Sequence, residues 1–360
     1  MSASLGIAGA GLAGRLLGLE MAERGWQVTL FDQDTPDGIH STTYAGAGML
    51  APGCELEKAE TDIARYGLQS LPLWKALLAR YGRSVYHAFT GSLVVAHPQD
   101  QRELQQLQRK VEQRATTPDV VQTVTADALA KLEPSLANRF RTGLYFPVEA
   151  HIDNRAWLAA LREALVARRV TWHASSPVER VEPHRVITPQ GASHTFDWAV
   201  DCRGLGARTQ LSTLRGVRGE LLYLHAPEVS LNRPVRLMHP RYPIYIVPRP
   251  DNVYLVGATA IESDDLGAVT VRSVLELLSA AYSVHSGFAE ARVLETVAHC
   301  RPAFPDNKPR LLYADGVMHI NGLYRHGFLI APALIQFARH FLETGTPMDG
   351  AEPIMEAYAA

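Results

Sequence analysis

Residues 5–8 form a short apolar run that leads directly into Gly9-Ala-Gly11-Leu-Ala-Gly14. Leu12, Leu16, Leu19 and Met21 then recur at roughly helical spacing, and Arg24-Gly25 ends the segment with a C-cap glycine. A second apolar run, 28–31, stops at Asp32, 18 residues after Gly14. The pattern predicts strand, turn, helix, strand. Helices are also predicted over 61–82, where Leu68, Leu71, Trp74, Leu77 and Leu78 make one face, and over the mostly polar 100–116. The first is expected to pack on a core rather than lie on a membrane. Strands are predicted at 91–98 and 142–153, a helix at 154–169 and a strand at 171–175. The run 198–201 ends in Gly204-Leu-Gly206, a second strand-to-glycine turn. Residues 216–260 alternate β-branched and aromatic positions and read as strands. Helices follow at 273–284 and from Phe328 onward, with Pro332 expected at or near the first turn of the last one.

A length of 360 residues implies two domains. Apolar content of 47% and charged content of 20% indicate an ordered globular chain. A formal net charge of −2, with both signs interspersed, makes no electrostatic case for nucleic acid or a membrane surface. Cys54, Cys202 and Cys300 are far apart and odd in number, so a reducing cytoplasm is the expected compartment. The start of the chain lacks the basic region of a secretory signal, and no run is long and apolar enough to span a membrane. With no repeat, low-complexity tract or flexible linker, the two sets of elements are expected to interleave.

The glycine turn has a mechanical reading. Gly9 allows the tight turn, Gly11 lets backbone approach a pyrophosphate, and Gly14 lets helix and strand pack closely. The helix N-terminus offers unpaired N–H groups to phosphates, and Asp32 can accept from a ribose hydroxyl. Such glycines could also serve close packing alone. After Asp32 the chain enters a small-residue loop, 37–52, and then helices of another character, instead of continuing with strand–helix units. That detour favours FAD over NAD.

Five stretches in order, GAGLAG with Asp32, TTYAGAGMLAP, YIVPRPDNVYLVGAT, RPAFPDNKP and NGLYRHGFLIAP, resemble the glycine oxidase and D-amino-acid oxidase family of FAD proteins. The likeness runs from residue 6 to about 332 and is nearest to the glycine oxidases of thiamine biosynthesis. It implies an α/β fold in which a Rossmann-like FAD domain of the glutathione-reductase type is interleaved with an α+β substrate domain on a large mixed sheet. The expected boundaries are 1–50, 145–215 and 295–360 for the first and 51–144 and 216–294 for the second. Beside Gly9, Gly11, Gly14 and Asp32, the resemblance implies cofactor contacts from Thr42, Thr43, Ala47, Gly48, Met49, Gly204, Gly322, Gly327 and Phe328. Arg301, Arg325 and Tyr245 match residues that line the pocket for the substrate carboxylate. Ala260 stands where several relatives carry a larger residue, which implies a roomier pocket.

A guanidinium offers a planar fork to a carboxylate and stays charged when partly buried. Each arginine could instead sit in a structural ion pair, Arg301 with Asp306 or Arg325 with Glu262. His326 is expected to support the pocket or touch the flavin edge. The last helix is expected to aim its N-terminus at the pyrimidine side of the flavin. The resemblance implies non-covalent FAD, although His299 lies near the position of covalent attachment in some relatives. No HExxH or GxSxG pattern occurs, so neither a metal site nor a serine hydrolase is expected. The expected activity is oxidation of the Cα–N bond of a small amino acid or N-substituted glycine, by hydride transfer to flavin with oxygen as acceptor. No side chain is expected to be catalytic. A dehydrogenase of an amino or hydroxy acid that passes electrons to a carrier, and a flavin-binding protein without turnover, are the alternatives.

Overall fold

The computed structural model describes residues 2–117 and 119–358. Two sheets organise them. The first has seven strands in the order Met355–Ala357, Arg310–Ala314, Val317–Asn321, Trp198–Asp201, Ser4–Ala8, Gln27–Phe31 and Thr171–His173. All neighbours are parallel except Arg310–Ala314 with Val317–Asn321. Helices Leu12–Glu23, Asn154–Ala167 and Gly327–Thr344 share a core with one face. A small antiparallel sheet covers the other, packing Val181 and Val186 against Ala8, Phe31, Ala199 and Val317. Cover on both faces explains why these strands read as unbroken apolar runs. Helix Asn154–Ala167 starts where the Asp153 carboxylate accepts from the N–H groups of Arg155 and Ala156, both at 3.0 Å.

The second sheet has nine strands and is mixed, with Ser92–Ala96 parallel to Val235–Met238 amid antiparallel neighbours. Its strands alternate. Leu222, Leu224, Ile246 and Val256 join a core with Leu277 and Ala281 of helix Val271–Val284. Leu221, Val247 and Leu255 turn the other way and meet Ala47 of the loop that follows the first βαβ unit. The functional surface lies on that second face.

Three features depart from the sequence pattern. Residues 142–153 are two strands, Thr142–Phe146 and Ala150–Ile152, in different sheets, with Pro147 in the turn between them. Helix Thr61–Tyr81 falls within the segment assigned by sequence to the substrate domain, but Ile63, Tyr66 and Trp74 pack in the core of the seven-stranded sheet. An apolar helix face shows that packing occurs, not against what. Pro332 is not in the first turn: the last helix begins at Gly327, which makes Pro332 its sixth residue.

Proline there leaves the Phe328 carbonyl without its intrahelical donor. Trp74 supplies the replacement, its Nε1–H donating at 2.9 Å, and Ser70 Oγ accepts from Ala333 N–H at 3.1 Å. The variant Trp74→Phe keeps an aromatic side chain but loses the indole N–H, so it strands that carbonyl and leaves a small void. We expect a loss of roughly 1–3 kcal/mol, read as a lower denaturation midpoint with FAD still bound.

Candidate flavin and substrate site

One cavity of about 620 Å³ runs from the Gly9 turn, past the loop 40–49, to the floor of the nine-stranded sheet. At its nucleotide end Gly9 has φ +96°, and a Cβ there would lie 2.6 Å from the Cys202 backbone. A Cβ on Gly14 would meet the Gly9 carbonyl oxygen at 1.9 Å, so helix and turn touch through bare backbone. Gly9 and Gly11 line the cavity, whereas Gly14 acts through this packing. Asp32 accepts hydrogen bonds from the N–H groups of Ala10 and Asp34, and its carboxyl is raised because burial outweighs those bonds. Thr43 Oγ1 accepts from Leu12 N–H at 3.1 Å and anchors the loop to the helix start.

Sequence reasoning missed Arg15. It is fully buried, with its guanidinium donating to the carbonyls of Ala10, Leu158 and Pro36 at 2.7–2.9 Å. Burial lowers it to about 10, against the pull of Asp32. An arginine within an otherwise apolar helix face was the available signal.

The middle of the cavity is bounded by Thr42, Thr43, Ala47, Gly48 and Met49. Gly48 has φ +65°, and a Cβ there would lie 2.0 Å from the Ile152 carbonyl oxygen. Two buried side chains fix this loop from behind. Asn154 donates to the carbonyls of Thr43 and Tyr44, both at 2.9 Å. Arg249 donates to the Ala47 carbonyl at 2.9 Å. The sequence did not single out either one, since their partners are distant backbone carbonyls. His299 is fully engaged: Nδ1 lies 3.1 Å from Thr42 Oγ1, and Nε2 lies 2.9 Å from the His40 carbonyl oxygen. Gly204, Gly327 and Phe328 also line the cavity. Gly322 does not; it makes a turn at φ +72° against Phe304. The N-terminus of helix Gly327–Thr344 opens on the cavity, with Gly327, Phe328 and Leu329 in its lining.

At the far end, register sets the floor. Arg236 pairs with Tyr245, Tyr245 with Gly257, and Gly257 with Leu221 across four neighbouring strands. Arg301, on the next strand, lays its guanidinium over Gly219, where a Cβ would meet it at 2.2 Å. It donates to the Thr259 carbonyl at 3.1 Å and, among the described residues, makes no ion pair. Asp306 pairs with Arg310 instead, at 3.1 Å. The Tyr245 hydroxyl is raised by burial, against the pull of Arg301 and Arg236. Ala260 is exposed to the cavity.

Arg325 also lines the cavity, but its charge is met by Glu55 at 2.8 Å, while Glu262 pairs with Arg215. Buried His326 places Nδ1 3.2 Å from the same Glu55 oxygen. Burial alone would raise the Glu55 carboxyl, yet His326 and Arg325 together hold it well below the usual carboxylate range. A depressed folded value means that the folded protein binds fewer protons than the unfolded chain near pH 4. The stabilisation is therefore complete above the ordinary value of 4.5 and fades as the pH falls below it. We expect the stability gap between wild type and Glu55→Gln to be largest at neutral pH and to shrink on acidification. Denaturation at a series of pH values checks this, and a constant gap would refute the pairing.

A glycine turn against bare backbone, a half-buried acid at the end of the second strand, a backbone-lined central slot and a helix N-terminus fit a long dinucleotide with a planar ring, the cofactor shape of a flavin-dependent oxidoreductase. The family model described as FAD dependent oxidoreductase matches residues 5–337, and the chain belongs to that family. A protein of Rhizobium etli named as a thiamine biosynthesis oxidoreductase, ThiO, is 44% identical over 341 residues, covering 94% of this chain and 97% of that one. Among solved structures, iminodiacetate oxidase from Chelativorans sp. BNC1 superposes with a TM-score of 0.84 at 23% identity, over 99% of this chain and 100% of that one. Glycine oxidase from Geobacillus kaustophilus gives 0.84 at 22% identity, over 98% of each chain. The protein is an FAD-dependent oxidoreductase, and among the described residues no helix is long and apolar enough to cross a membrane.

Proposed function

We propose that the protein oxidises the Cα–N bond of a small amino acid or N-substituted glycine and passes the electrons to oxygen. The observation that carries this is Arg301: among the described residues a guanidinium without an acidic partner, spread over a glycine beside a tyrosine hydroxyl, in the cavity whose other end fits the flavin nucleotide. Bound FAD supplies the two-electron acceptor. Arg301 takes the substrate carboxylate as a planar fork and Tyr245 adds one directional donor, so the α-carbon is held in a fixed place. Arg325 stays with Glu55 and closes the wall. The backbone N–H groups at the start of helix Gly327–Thr344 favour negative charge in the cavity. No side chain is needed as nucleophile. The substrate loses two electrons and two protons to become an imine, and water converts that to an oxo acid and an amine. Oxygen takes up both electrons and protons as hydrogen peroxide.

Paired engagement of His299 supports non-covalent FAD. Acid precipitation should release all of the yellow colour into the supernatant; colour that stays with the pellet would contradict it. A peroxide assay run beside a dye-reduction assay tests the acceptor. Peroxide formed in step with amine consumed supports oxygen, and dye reduction without peroxide overturns it.

A further inference from the structure

Arg236 takes no part in the chemistry above. It comes from strand Val235–Met238, on the cavity face, directly opposite Tyr245 in the neighbouring strand. Among the described residues its guanidinium makes no ion pair, and it lies within hydrogen-bonding reach of the Cys54 thiol. The groups that face it are Cys54, Glu55, Glu57 and Glu149, whose field keeps it charged in spite of burial. Each acid is already engaged elsewhere. Glu55 holds Arg325 at 2.8 Å and His326 at 3.2 Å, and Glu57 lies 3.6 Å from Lys58. Glu149 accepts from Cys54 N–H at 2.7 Å and from the Ser92 hydroxyl. Apart from Arg15 at the nucleotide end, whose guanidinium is taken up by three backbone carbonyls, the described lining contains two guanidinium groups without carboxylates of their own, Arg236 and Arg301, with Tyr245 between them on the floor. A monocarboxylate seated on the Arg301 fork uses both of its oxygens there and leaves Arg236 without one. Gly219 and Gly257 give up their side-chain space to the Arg301 guanidinium and the Tyr245 ring, and Ala258 and Ala260 carry single methyls along the same wall.

Resting on the amine-oxidation reading, we infer that Arg236 is a second anion site and that the preferred substrate is an amine with two carboxylates, one on Arg301 and the other on Arg236. The second carboxylate can be carried on the nitrogen, as in an N-carboxyalkyl glycine, or on the α-carbon side chain, as in an amino dicarboxylate. Arg236 is half-buried and presents its planar fork to the cavity, and a charge-assisted pair with that fork is what separates a dicarboxylate from a monocarboxylate.

The test uses the FAD-loaded protein and compounds that cannot be oxidised. Perturbation of the flavin absorbance is titrated with succinate and glutarate against propionate and butyrate, in wild type and in Arg236→Gln. Wild type should bind the dicarboxylates more tightly by at least about 10-fold, on the order of one such charge pair. In Arg236→Gln the ratio should fall to near one. No dicarboxylate preference in wild type, or the same preference in the variant, overturns the inference. If Arg236→Gln does not retain FAD, Arg236→Lys carries the test: loss of the fork should lower the ratio several-fold, and an unchanged ratio overturns it. Anaerobic flavin reduction by iminodiacetate and by the two enantiomers of aspartate then tells which arm bears the second carboxylate. An Arg236-dependent preference with no amine reducing the flavin would leave the anion site standing and remove the amine oxidation. Reduction by amines without the preference would do the reverse.

Discussion

Replacing Arg301 by alanine should abolish useful substrate binding while leaving the protein yellow. The guanidinium lies on Gly219 and is held by the Thr259 carbonyl, so its removal leaves space and one backbone acceptor rather than an orphaned internal charge. Among the described residues no carboxylate depends on it. The loss therefore falls on the ligand, whose carboxylate is left in a partly dehydrated cavity. Truncating one partner of such a pair costs about 2–5 kcal/mol, a weakening of roughly 30-fold to several thousand-fold. Arg301→Lys should recover part of this, because an ammonium restores the charge without the planar fork. Steady-state KM, together with the FAD content and denaturation midpoint of each variant, checks the expectation. An Arg301→Ala protein that binds carboxylate substrates as wild type does would remove Arg301 from the site.

The second large effect concerns the cofactor. Gly14→Ala should give a protein that purifies without colour or loses FAD on dilution. The added Cβ would sit 1.9 Å from the Gly9 carbonyl oxygen, and that neighbour is backbone, so no rotamer change can relieve the overlap. Helix and turn must move apart, and the N–H groups at the helix start move with them. Overpacking of this kind costs about 1–3 kcal/mol of stability, whereas the loss of FAD affinity should be larger because several phosphate contacts shift together. By contrast, a Cβ on Gly11 has Thr43 Oγ1 as its nearest neighbour, at 3.6 Å. Gly11→Ala should therefore leave the fold intact and act on FAD affinity alone. Equilibrium dialysis of both variants separates the two cases.

Much of the nucleotide half is legible from the chain because its signals are local. The glycine spacing, the helical periodicity and the terminal Asp32 lie within thirty-odd consecutive residues, and the structure places Ser4–Ala8, Leu12–Glu23 and Gln27–Phe31 close to where the pattern put them. The substrate floor is different. Alternation in residues 216–260 predicts strands but not which strands pair, and the neighbours of Tyr245 follow only from register. Arg236 shows the consequence. It sits among Val235, Leu237 and Met238, in the same kind of setting that drew attention to Arg325, yet its place beside Tyr245 needs two strands brought together. The partner of Arg325 was equally out of reach. Glu55 is 270 residues away, on a four-residue helix that periodicity could not reveal. Strand Arg292–Ala303, exposed and charged along its first half, carries no apolar alternation and announces itself weakly, although it delivers Arg301.

The proposed reaction passes electrons from a carboxylate-bearing amine held by Arg301 to the bound flavin. Its most direct test is the visible spectrum of the FAD-loaded protein without oxygen, before and after addition of glycine, sarcosine, D-alanine and iminodiacetate. Bleaching of the flavin bands by at least one of these, lost or greatly slowed in Arg301→Ala, is the predicted result. A flavin that stays oxidised with every amine, or that bleaches equally well without Arg301, would contradict it.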